Sequence, residues 1–181
     1  VEHEAVFGFT DSWQMDESGS RIGDSYADYA DSTPAARFRN NFVLQGRTFA
    51  SDHLAIKNTI LNVSAVVWRR DSLIEAFTTV GDTLYNYRIA GDWRLYLAAA
   101  LTDAPVAYVA RSLNGHRRHT QSLTHALDKQ RHLDEIINLH RIAEQTLLLE
   151  PTQIEAMREY ERQIGHQFSL SSRDERILSD A

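Results

Sequence analysis

Three short apolar runs, parted by stretches of helical spacing, constrain this chain more than any other feature. Ala5-Val6-Phe7-Gly8-Phe9-Thr10 lies inside residues 4–15 and ends in polar turn residues, so it reads as a buried strand. Val63-Ser64-Ala65-Val66-Val67-Trp68, rich in β-branched side chains, is the strongest strand signal. Val106-Ala107-Tyr108-Val109-Ala110 is the third. Between the second and third, Asp71-Ser72-Leu73-Ile74-Glu75-Ala76-Phe77 opens a helix capped by Asp71 or Ser72. Asp92-Trp93-Arg94-Leu95-Tyr96-Leu97-Ala98 opens another, with an aspartate where the helix dipole favours negative charge. Strands alternating with helices predict an α/β or α+β layered domain with a small mixed sheet and flanking helices.

The remaining segments are less regular at first and more regular later. Residues 1–35 hold eight acidic residues and one basic residue, Arg21, among glycines and serines, and read mostly as loop. Pro34, followed by Ala35-Ala36-Arg37-Phe38 and Phe42-Val43-Leu44, predicts a helix begun by Ser32 or Thr33. A short helix is expected over 48–57. From Thr124 the spacing of Leu127, Leu133, Ile136, Ile137, His140 and Ala143 predicts an amphipathic helix to about Leu149. Pro151 starts another, with Ile154, Met157, Tyr160 and Ile164 on one stripe. The expected organisation is a layered domain over 1–125, a helical extension packed on it over 126–168, and a polar tail over 169–181.

Composition removes several classes of function. At 181 residues, 43% hydrophobic and 24% charged, the chain suits one globular domain with a real core. The absence of cysteine excludes disulfides, thiolate metal sites and cysteine nucleophiles. A formal charge of −6 argues against nucleic acid as a partner. The longest apolar run, 95–101, is far too short to span a bilayer, so no transmembrane segment is expected.

Three segments carry side chains suited to chemistry. Asp92 follows Ala90-Gly91, and a carboxylate there could take a proton from an attacking hydroxyl; equally it could cap the helix. Arg111-Ser112-Leu113-Asn114-Gly115-His116-Arg117-Arg118-His119 lies in a stretch, 104–127, without acidic residues. Its forked guanidinium groups suit a phosphate or diphosphate, and its histidines a metal, while a solvated basic loop is the plainer reading. Asn58-Thr59-Ile60-Leu61-Asn62-Val63-Ser64 offers amides and hydroxyls that suit a sugar or an ordinary turn. Asp11 and Asp16 could hold a divalent cation or belong to a solvated loop.

Taken together these segments resemble the family-2 glycosyltransferases of bacteria. Phe9-Thr10-Asp11-Ser12-Trp13 with Met15-Asp16-Glu17-Ser18-Gly19 is similar to the strand and hydrophobic-Asp-Glu-x-Gly passage midway through their catalytic domain. Lys57-Asn58-Thr59-Ile60-Leu61-Asn62-Val63-Ser64-Ala65-Val66-Val67-Trp68-Arg69-Arg70 resembles their N-T-I-P-N-V-S-A-V-hydrophobic-F-R-R segment. Ala90-Gly91-Asp92-Trp93-Arg94-Leu95-Tyr96-Leu97 resembles their G-D-W-x-L-Y-L helix start, and 113–124 their L-N-Y-Y-R-R-H-x-x-S-V-T segment. The order and spacing agree over about residues 6–143. Two departures stand out: Leu61 replaces a proline and Gly115 an aromatic.

The resemblance implies a partial GT-A-like fold. The chain would be the acceptor-binding half of the domain, beginning after the Asp-x-Asp of the nucleotide-binding half and catalytically incomplete alone. It implies inverting transfer of a sugar from a nucleotide-diphosphate sugar to a carbohydrate or other hydroxyl acceptor, in cell-surface polysaccharide synthesis. Asp92 would be the catalytic base; Asn62, Ser64, Trp93, Arg117 and Arg118 would bind substrate; His119 would touch a metal. A divalent cation, Mg or Mn, is implied for the complete enzyme. A cytoplasmic position, extending to the inner face of the membrane, follows from the same likeness. A homodimer is a further expectation, because sheet members outside the chain would leave an edge or apolar face uncovered. The alternatives are a non-enzymatic interaction or oligomerisation module built on the later helices, and a phosphate-binding domain using the Arg-His segment.

Overall fold

The computed structural model describes residues 4–118 and 129–170. The protein is mixed α/β, as the alternation predicts. β1 (Phe7–Met15) is the central strand. On one side it pairs in parallel with β5 (Pro105–Arg117), whose far edge carries antiparallel β3 (Phe42–Gln45). Two short antiparallel strands also pair with β1, β2 (Arg21–Gly23) near its end and β4 (Val66–Trp68) near its start.

Helices α1 (Ala27–Ala30) and α2 (Gly46–Phe49) are short, and α2 runs on into a π-turn over Ala50–Leu54. α3 (Arg70–Val80) and α4 (Gly91–Ala100) lie between β4 and β5; α5 (Lys129–Thr146) and α6 (Pro151–Phe168) close the described chain. No helix among the described residues is long and apolar enough to cross a membrane.

One face of the sheet supplies the core. Phe7 and Phe9 alternate inward from β1 and meet Val106 and Tyr108 at the same register of β5. The Phe7 and Phe9 rings meet Phe49, Trp68, Tyr96, Phe38 and Phe42, with centroids 4.9–6.5 Å apart. α5 and α6 add Ile136, Leu139, Ala143 and Met157 to this same core. The two helices therefore contribute buried side chains to the hydrophobic interior of the sheet.

Two sequence expectations fail for identifiable reasons. Residues 34–44 contain no α-helix. Asp31 Oδ1 accepts the backbone N–H of Phe38 at 2.7 Å, the chain turns, and Phe42 and Leu44 then alternate as a strand with Val43 and Gln45 outward. The run at 63–68 is strand only over Val66–Trp68; Asn62 Oδ1 accepts Ser64 N–H at 3.1 Å and winds Val63–Ala65 into a 3₁₀ turn.

β5 is also much longer than its apolar run. Its polar second half is held by the equally polar second half of β1, Met15 pairing with Arg117. The ladder slips on either side of Asp11, which gives the sheet its bend.

Candidate functional site

Asp92 lies in the first turn of α4, one residue past Gly91. It does not cap the helix: Ala90 occupies the cap position and contributes no side-chain bond. Asp92 Oδ1 accepts the N–H of Trp93 at 2.7 Å, and the nearby Asn58 amide favours the ionised carboxylate. Burial dominates over these bonds and pushes the carboxyl above the usual aspartate range. One turn on, Tyr96 buries its hydroxyl with no hydrogen-bond partner among the described residues. Burial and the nearby Asp92 charge push that phenol upward.

Thr59, the residue after Asn58, lines a recess of mixed polar and apolar side chains. Its cavity volume is about 20 Å³, room for about one water molecule. Asp11, Ser12, Tyr26, Asn62 and Tyr108 line it with Thr59. Thr59 is 5% exposed and its Oγ1 has no partner among the described residues, so the recess holds a free hydroxyl. Asp11 is already engaged: Oδ1 accepts Ser12 N–H at 2.7 Å and Tyr26 N–H at 2.9 Å, and Oδ2 accepts the Ser112 hydroxyl. Asp16 likewise binds its own turn through Ser18 and Ser20. Neither behaves as a waiting metal ligand.

The basic segment meets this recess through Tyr26. The Tyr26 hydroxyl is 2.8 Å from His116 Nδ1 and accepts from Arg118 Nη1 at 3.4 Å. Burial and the Arg118 charge hold His116 below its ordinary value. Arg117 points elsewhere, donating to the carbonyls of Asp16 and Glu17 at 3.1 and 2.9 Å. Its strand pairing corrects the loop expected there. Gly115 explains the missing aromatic, because a side chain at that position would start 2.7 Å from Trp13 Cζ2 and 2.5 Å from Met15 Cε.

The remaining expected residues divide clearly. Asn62 lines the recess but uses Oδ1 on the backbone; Ser64 is exposed. Trp93 is a correction. It is 2% exposed, its indole N–H donates to Leu54 O at 2.8 Å, and its ring packs on His140 and Tyr160, so it offers no face to a substrate. His119 lies outside the described residues. Among the described residues no three histidine or carboxylate groups converge as a cation site. Tyr26 and Tyr108 were not among the expected site residues: Tyr26 sits in no local pattern, Tyr108 reads only as part of a buried strand, and both join the recess through tertiary folding.

Comparisons of the chain with protein-family models, with curated proteins and with solved structures find no match.

Proposed function

We propose that this chain supplies the acceptor side of an inverting glycosyltransferase, with Asp92 as the general base. The observation that carries this reading is the desolvated Asp92 carboxylate in the first turn of α4, held by the Trp93 N–H at 2.7 Å. A carboxyl lifted by burial is a stronger base once ionised than an ordinary surface aspartate. In the reaction the acceptor O–H gives its proton to Asp92 and its oxygen bonds the anomeric carbon. The bond from that carbon to the diphosphate breaks, and the electron pair leaves with the nucleoside diphosphate. Thr59 and Asn62 suit hydroxyls of the incoming sugar, and Arg118, with Arg117 nearby in sequence, suits the anion. The implied surroundings are a nucleotide-sugar donor, a hydroxyl acceptor, a divalent cation and a cytoplasmic position.

The test uses the protein as encoded, a panel of nucleotide-diphosphate sugars, and release of nucleoside diphosphate as the readout. Asp92→Asn should lower kcat by roughly a hundredfold or more while donor affinity holds. Wild-type kcat in that variant ends the assignment.

A homodimer is supported by one observation. Val67, Gly8, Ala107 and Val43 form a continuous cross-strand row on the sheet face opposite the core, and Val67 is 77% and Val43 47% exposed. Light scattering on wild type and on Val67→Lys distinguishes a dimer through this face from a monomer.

A further inference from the structure

Glu135, on α5, holds the segment that delivers Asp92. Its carboxylate is 6% exposed and accepts three consecutive backbone N–H groups. Oε1 takes Arg88 N–H at 2.8 Å, and Oε2 takes Ile89 N–H at 3.0 Å and Ala90 N–H at 2.9 Å. Arg131, one turn earlier on the same helix, donates Nε–H to Oε1 at 3.2 Å and reaches Asn86 O with Nη2 at 3.1 Å. Residues 86–90 are thus tied to α5 on both sides of the turn. Ala90 is the cap residue of α4 and Asp92 stands two residues beyond it.

Three charge-assisted bonds on consecutive amides are more than a loop needs merely to remain folded. They fix the φ/ψ values of the last residues before the helix, and so the direction in which its first turn emerges. Burial alone would raise the Glu135 carboxyl, but the donors of Arg88, Ala90, Ile89 and Arg131 outweigh it and hold the group below the usual range. It therefore stays ionised at neutral pH, as an acceptor of three amides must.

We propose that Glu135 is a positioning residue for Asp92: through the amides of residues 88–90 it sets where the α4 first turn places the Asp92 carboxylate. The inference rests on the reading of Asp92 as the base, and it gives α5 a role in the site that its sequence does not advertise. Asp92 owes its raised titration to burial, with Tyr96 a turn away. A first turn released from Glu135 lets water reach the carboxylate.

The experiment needs no sugar transfer, so its failure is separable from failure of the proposed activity. In the full chain, the Asp92 carboxyl is titrated by ¹³C NMR, and exchange of the amides of residues 88–90 is followed. Glu135→Gln, which turns an NH₂ toward some of those donors, should speed that exchange about tenfold or more. Asp92 should then titrate nearer the ordinary aspartate range. Glu135→Asp, which keeps the charge but falls one methylene short, should move both readouts in the same direction by less, and decides the matter if Glu135→Gln does not fold. A folded variant of either kind with unchanged amide exchange and unchanged Asp92 titration overturns the proposal. Where turnover is measured, kcat should fall with KM preserved.

Discussion

His140 and Glu161 share a hydrogen bond of 2.7 Å in the core, between side chains 0% and 1% exposed. The other ring nitrogen, Nε2, donates to Ile56 O at 3.0 Å. Glu161 also accepts from Arg158 Nη1 at 3.2 Å. One imidazole thereby joins α5 and α6 to the segment that runs on through Lys57 to Asn58 and the recess.

This arrangement predicts asymmetric mutational costs. His140→Leu alone leaves a buried carboxylate without its imidazole and should destabilise the protein by about 3 kcal/mol. His140→Leu combined with Glu161→Leu removes both partners, and Arg158 still keeps Glu144. The double variant should recover a large part of the loss, because replacing a buried pair with apolar groups is often close to neutral. Urea denaturation of both variants checks this; a double variant with additive losses would show that the pair is not the unit.

His53 predicts a pH dependence. Its ring is 0% exposed among Phe38, Phe42 and Phe49, with Nδ1 3.3 Å from Thr33 Oγ1 and no partner for Nε2 among the described residues. Burial, with the charges of Arg37 and Lys57, pushes it down from 6.5 to about 3. The unfolded chain therefore binds a proton that the folded one refuses between those values, and stability contributed at neutral pH drains away as pH falls below 6.5. At pH 5 the loss should be about 2 kcal/mol relative to pH 7. Denaturation midpoints of His53→Phe should lack this component, and parallel curves for variant and wild type would refute it.

Gly46 predicts a steric cost. Its N–H donates to Ala104 O at 3.1 Å where α2 begins under the 101–104 turn. A Cβ there would lie 2.6 Å from Ala100 O and 2.8 Å from both Thr102 O and Ala104 O. All three are backbone atoms at the junction of α4 with β5, so they cannot swing aside as a side chain would. Gly46→Ala should cost about 1–3 kcal/mol, measured by thermal or urea unfolding. A neutral variant would mean that the turn repacks freely.

Much of the fold was legible because local pattern and burial agree. The apolar run at Phe7–Phe9, the helix begun at Asp92 and the Pro151 start appear where their residues point. The helix expected from Asp71 also forms, but Arg69, not Asp71 or Ser72, takes its cap position and no side chain caps it. The 34–44 stretch misled because Phe38 and Phe42 have helical spacing, yet Asp31 captures the Phe38 amide and the pair enters the core from a turn and a strand. The polar end of β5 was hidden because no apolar residue marks it; only its register with β1 makes it a strand. The site follows the same logic. Asp92 is announced by Gly91 and the helix it opens, whereas Tyr26 meets His116 across 90 residues of sequence, a contact no local pattern encodes. Trp93 was expected to bind substrate only through the family resemblance, while helix phase turns it into the core.

Asp92→Asn predicts a gain in stability that accompanies the loss of turnover. Burial raises the folded-state titration of this carboxyl above its ordinary 3.8. For an acid the sign is then fixed: the folded chain holds the proton to higher pH than the unfolded chain. Its favourable contribution is complete below the unfolded value and lost as pH rises through the folded one. At neutral pH the ionised Asp92 therefore works against folding. An asparagine has nearly the same shape, can still accept the Trp93 N–H through its carbonyl, and carries no charge to desolvate. The variant should unfold at a higher urea concentration than wild type at pH 7, and the difference should shrink as the pH is lowered, because wild-type Asp92 takes up its proton above the ordinary aspartate range. An equal or lower midpoint for Asp92→Asn at pH 7 would mean that the helix dipole and the Asn58 contact compensate the buried charge. The carboxylate would then lack the desolvation on which its role as a base depends.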